Sequence, residues 1–108
     1  MIAVLFEAQA AADHQARYLV LAAELNAALA HIPGFIAIER FKSLSREGTI
    51  LSLSWWESEA SVLEWKRNAL HQMAQEEGKR TIFSHYRIRV AQVIREYSSD
   101  ERGGSHHV

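Results

Sequence analysis

The chain has no cysteine, one proline and only five glycines among its 108 residues. Without cysteine there can be no disulfide, no thiolate zinc site and no cysteine nucleophile. A reducing cytoplasm is the expected compartment. The glycines are scattered, and none falls in the GxGxxG or Walker spacing that cradles phosphates, so no nucleotide cofactor is expected. Neither sign of charge is in excess. Twelve Lys and Arg against thirteen Asp and Glu leave a formal charge of −1, which argues against nucleic acid or an anionic membrane as partner. After Met1, the five apolar residues Ile2–Phe6 are too few for a signal-peptide core or a membrane span. No cluster of His, Asp and Glu has ligand spacing, so no metal is expected.

What is present is a globular composition. Apolar residues make up 48% and charged residues 23% of the chain, which excludes disorder and fits one domain. Size scaling gives about 6,000 Å² of folded surface against about 18,000 Å² unfolded, a core just sufficient for a monomer.

Ile2–Glu7 is apolar on both faces, as in a central strand, and Ala8–Ala12 reads as a link. Asp13 is the expected N-cap of a helix to about His31. Its stripe is Tyr18, Leu21, Ala22, Leu25, Ala28, Leu29 and Ile32, and Pro33-Gly34 stops it. Phe35–Ser43 and Thr49–Trp56 read as strands joined by the turn Ser45-Arg46-Glu47-Gly48. Ser58 caps a second helix through Glu77 with a break near Asn68, and His85–Tyr97 is the last strand. Residues 98–108 are polar, rich in Gly and Ser, and expected to be a disordered tail.

The order β-α-β-β-α-β predicts an α+β, ferredoxin-like antiparallel sheet with both helices on one face. Alternation places Ile36 and Ile38 on one face of their strand and Phe35, Ala37 and Phe41 on the other; Tyr86, Ile88, Val90 and Ile94 oppose Ala91 and Val93. A monomer would expose the second apolar face, so sheet-to-sheet homodimerisation is expected.

With these elements placed, the chain resembles the antibiotic biosynthesis monooxygenase family of dimeric α+β barrels over about residues 1–97. The resemblance rests on Pro33-Gly34-Phe35, on Trp55-Trp56-Glu57-Ser58-Glu59-Ala60, on Trp65, and on the block Tyr86–Tyr97. It implies a homodimer with a pocket in each subunit between sheet and helices. Members include cofactor-free oxygenases of aromatic polyketides, quinol monooxygenases and haem-degrading enzymes. The haem-degrading pattern needs an asparagine near the end of strand one, a helix-two tryptophan and a histidine ten residues further on. Here those positions hold Glu7, Trp65 and Gln75, so two of the three fail.

The expected function is therefore a cofactor-independent monooxygenase for a small aromatic phenol or quinol. The alternatives are a non-catalytic dimer that binds an apolar small molecule and, below it, a haem-binding protein. Trp65 is either a wall for stacking an aromatic ligand or plain core. Asn68, His71 and Gln75 lie close on one helical side, as a pocket mouth or a solvated face. His71 is the candidate base, because histidine exchanges a proton near neutral pH. Tyr86 is core with a hydroxyl in reach of the pocket. Arg87, Arg89 and Arg95 could stabilise an oxyanion but are read as partners of Glu39 or Glu96 across strands or a dimer.

Overall fold

In the computed structural model, which describes residues 1–10, 12–68 and 83–100, strand β1 (Ile2–Ala10) sits between two neighbours. Helix α1 (Gln15–Leu29) follows, then β2 (Phe35–Lys42), β3 (Thr49–Trp56), helix α2 (Glu59–Arg67) and β4 (Phe83–Gln92). The sheet order is β2-β3-β1-β4, with β1–β3, β1–β4 and β2–β3 all antiparallel. This is the ferredoxin-like arrangement that the element order predicts. Among the described residues no helix is long and apolar enough to cross a membrane.

The strand register lines up rows of side chains across the sheet. Arg40, Ser52, Phe6 and Ile88 form one row on the helix side, and Ile38, Ser54, Val4 and Val90 form the next. Phe35, Trp56 and Ile2 close that end. The helices bury their apolar stripes against this face. Tyr18, Leu21 and Ala22 pack with Ala10, while Leu29 and Trp65 pack with Trp56, which is only 1% exposed. The opposite face carries Glu39, Leu53, Leu5 and Arg89 in one row and Phe41, Leu51, Glu7 and Arg87 in the next.

Several expectations need correction. β1 runs on through Ala10, where a link was expected, because Ala8 and Ala10 are small enough to be buried, Ala10 against Tyr18, Leu21 and Ala22 of α1. Asp13 does not cap α1. A 3₁₀ turn at Ala12–His14 leads in, and His14 takes the cap position without a side-chain bond. The faces of β2 differ from simple alternation. The register slips between Phe35 and Ala37, so Phe35 joins Ile38 in the core and Ile36 is left 49% exposed. A bulge adds one residue to a strand and reverses the alternation beyond it. β4 begins earlier than expected and ends at Gln92, since its ladder partner starts at Ile2 and the last bond is Val93 N–H to Met1 C=O at 3.0 Å.

Ser58 does cap α2, accepting from Ser61 N–H at 3.3 Å, and the helix breaks at Asn68, whose ψ is 131°. The rest of the expected second helix and most of the expected tail lie outside the described residues.

Two local devices hold the frame. Gly34 has φ +86°, accepts from Glu57 N–H at 2.8 Å, and leaves no room for a Cβ beside the Ser61 side chain. This close approach welds the start of β2 to the start of α2. On the open face, Glu7 bonds Arg46 Nη2 at 2.7 Å, with Arg89 Nη1 at 3.9 Å. The hydrogen bond from Arg46, helped by the charges of Arg46, Arg87 and Arg89, lowers the Glu7 pKa against a smaller opposing desolvation.

Gly34→Ala should lower unfolding stability by roughly 1–3 kcal/mol from backbone strain alone, measurable by urea denaturation. Glu7→Gln should destabilise at pH 7, because a carboxylate with a depressed folded pKa stabilises above its unfolded value. The gap from wild type should close as pH falls below the ordinary value of 4.5 and through the lower folded pKa. A Glu7→Gln variant whose deficit persists unchanged at acid pH would contradict the assigned pairing.

Candidate functional site

A cavity of about 320 Å³ lies between the helix-side face of the sheet and the two helices. Its floor is the pair of rows Arg40-Ser52-Phe6-Ile88 and Ile38-Ser54-Val4-Val90, and Trp56 stands at one end. Tyr18, Leu21, Leu25 and Leu29 of α1 roof one part, and Val62, Trp65 and Lys66 of α2 another. The helical spacing of three and four that buries an apolar stripe is what aims these side chains down at the sheet.

The few polar groups in this apolar chamber are held in place. Tyr18 OH and Ser52 Oγ are 3.1 Å apart and both residues are buried. Trp56 Nε1 donates to Ser54 Oγ at 2.9 Å, and its ring meets Phe35 edge-on, with centroids 5.3 Å apart and planes at 71°. Arg40 Nη1 donates to Asn26 Oδ1 of α1 at 2.9 Å. Its Nε is buried with no partner among the described residues. Among the described residues the β4 wall is exposed, Ile88 to 43% and Val90 to 50%.

Of the residues singled out from the sequence, Trp65 lines the cavity and is 7% exposed. Val62 shares its face, as the spacing requires. Tyr86 follows Ile88 and Val90 on the helix side and sits against Phe6 with ring centroids 6.1 Å apart, just beyond the cavity lining itself. Asn68 ends α2, its N–H donating to Trp65 C=O at 2.9 Å. His71 and Gln75 lie outside the described residues. Glu7 points to the other face of the sheet from Phe6 and takes no part in the cavity. Among the described residues no group of three or more His, Asp or Glu side chains gathers as a metal would need.

Sequence reasoning missed Arg40, Tyr18, Ser52, Ser54, Trp56 and Lys66 as cavity residues. A signal was available for the serines. Ser52, Ser54 and Trp56 occupy alternate positions of one strand, and small polar residues on the side that faces the helices leave room there. Arg40 gives no such signal, because a cation on a strand reads as solvated.

Comparison with known proteins agrees with this geometry. The family model for antibiotic biosynthesis monooxygenase matches residues 1–77. A protein of Pyricularia oryzae named jasmonate monooxygenase ABM is 45% identical over 101 residues, covering 94% of this chain and 47% of its own length. The uncharacterised YqjZ of Bacillus subtilis is 31% identical over 64 residues, 59% of this chain and 54% of its own. The chain thus spans about half the length of the curated relatives it matches. Among solved structures, one from Deinococcus radiodurans superposes with a TM-score of 0.82 at 16% identity, covering 91% of this chain and 97% of the other. Rv0793 of Mycobacterium tuberculosis gives 0.79 at 12% identity, covering 90% and 98%. At such identities the structural likeness speaks for the fold alone. The family match over most of the sequence goes further, and the chain belongs to the antibiotic biosynthesis monooxygenase family.

Proposed function

We propose that this chain is a cofactor-independent monooxygenase that oxidises a small aromatic phenol or quinol in the cavity between sheet and helices. The observation that carries the reading is the apolar chamber walled by Trp56 and Trp65, with the hydroxyls of Tyr18 from the roof and Ser52 from the floor fixed on each other. Flat aromatic surfaces suit a ring substrate, and a few fixed polar groups set its orientation. The family and the name of the Pyricularia relative support oxygen insertion.

In this reading the substrate is its own reductant. His71 removes a proton, and the carbanion formed passes an electron to O₂. The two radicals join through a C–O bond, and protonation gives a hydroperoxide. Loss of water leaves a carbonyl, so that a CH₂ and O₂ become C=O and H₂O. Trp65 would form a wall, with Asn68, Gln75 and Tyr86 near the mouth. The setting would be the cytoplasm.

The working unit would be a homodimer formed through the open sheet face. That face carries apolar Leu5, Leu51, Leu53, Trp55 and Phe41 with Glu39 on the β2 edge and Arg87 and Arg89 on the β4 edge. Two copies related by a two-fold axis along the strands would set the acidic edge of each against the basic edge of the other.

Oxygen uptake with a panel of hydroquinones and anthrones tests the reaction. Turnover should fall at least about a hundredfold in His71→Ala with ligand binding retained. Absence of turnover in the wild type, with binding intact, would leave a non-catalytic binding protein. For the dimer, Leu53→Asp should halve the mass measured by sedimentation equilibrium, and an unchanged mass would place the interface elsewhere.

A further inference from the structure

The geometry points to a carboxylate-binding site at one end of the cavity, in which Arg40 reads the acidic group of an otherwise apolar substrate. The inference rests on the proposed use of the cavity and names the class of molecule that it takes.

Arg40 is the cation of the cavity floor, on the β2 edge of the row that continues through Ser52 and Phe6 to Ile88. Its guanidinium is held from one side, by Nη1 to Asn26 Oδ1 at 2.9 Å. Nη2 keeps its N–H groups, and no carboxylate among the described residues pairs with the guanidinium. Nε has no partner among the described residues and almost no accessible surface, so a ligand oxygen would approach through Nη2. A cation at an apolar cavity is costly to leave without a counter-charge, so the arrangement is complete when a carboxylate occupies it. Lys66 of α2 lines the same cavity and adds a second positive charge.

The remaining lining fixes the rest of the molecule. Beyond Ser52 the row is apolar, and it ends at the exposed Ile88 of β4, with Val90 at the end of the neighbouring row. Three strand spacings separate the β2 and β4 edges, about 14 Å. A ligand with its carboxylate on Arg40 would therefore lay a ring or chain across Ser52 and Phe6 and point its far end at the open rim. A carboxylate carries its full charge at neutral pH whereas an ordinary phenol does not, which favours the carboxylate.

Calorimetric titration of the full chain with 2-naphthoate, methyl 2-naphthoate and 2-naphthol tests this. The wild type should bind naphthoate about tenfold or more tighter than the ester. Arg40→Met should erase that preference while keeping ester affinity within about threefold. Arg40→Lys, which keeps the charge and loses the planar guanidinium anchored on Asn26, should restore only part of it. Asn26→Ala, at an exposed position, should weaken naphthoate and leave the ester unchanged. Equal affinity for acid and ester, a preference that survives in Arg40→Met, or no binding of any of the three up to about 1 mM would overturn the assignment. So would a preference for ionised 2-naphthol over naphthoate that disappears in Arg40→Met, which would put the reacting oxygen on Arg40 instead. These affinities are independent of oxygen uptake. An acid preference without turnover would remove the monooxygenase reading and keep the site, and turnover indifferent to Arg40 would do the reverse.

Discussion

Trp56 has to be buried, and its indole N–H has to be bonded once it is. The chain meets both demands with neighbours two residues and one strand away. Ser54, at the next inward position of the same strand, accepts the N–H, and Phe35 lies edge-on to the ring. Leu29 and Trp65, one from each helix, complete the enclosure. A side chain of this size holds sheet and helices apart at its own end. The smaller Ser52 and Ser54 cannot fill the gap further along, and the cavity is the space they leave. Packing at the tryptophan and emptiness beside it are thus two results of one sequence, Ser52-Leu53-Ser54-Trp55-Trp56.

Elements whose signals are local were legible in the sequence. β3 runs over the expected Thr49–Trp56, Ser58 caps its helix, and the break at Asn68 occurs where it was expected. Pro33-Gly34 ends the first helical region, and Gly34 has the positive φ that only glycine adopts cheaply. Features set by a partner strand were not legible. The end of β4 depends on where β1 begins, and the bulge at Phe35 depends on how two strands slide against each other. The second of these put Phe35 on the same side as Ile38, where alternation had set them apart, while Arg40 was overlooked because a cation on a strand reads as solvated. Trp65 lines the cavity on the helical face that its spacing with Val62 implied, whereas Arg40 belongs to no pattern and comes to the cavity only through the strand register.

The two faces of the sheet solve opposite electrostatic problems. On the open face Glu7 sits among Arg46, Arg87 and Arg89, and its charge is paired at the surface, where pairing is weakly stabilising. On the helix side Arg40 has a neutral amide for a partner and, among the described residues, one buried donor without a partner. The first arrangement is complete within the chain. The second lacks a counter-charge among the described residues, and under the proposal above a ligand supplies it.

The exposure of Ile88 and Val90 has a consequence for selectivity. A chamber closed on every side measures its guest by total size. Among the described residues this one is exposed at Ile88 and Val90 on the β4 edge, so under the proposal above it would measure chiefly the end of a ligand nearest Arg40. Molecules with a common head and different tails would all be admitted, the excess extending past the rim into water. Discrimination would then rest on head-group chemistry, and homologous series of increasing length would be accepted until their exposed tails began to favour other surfaces.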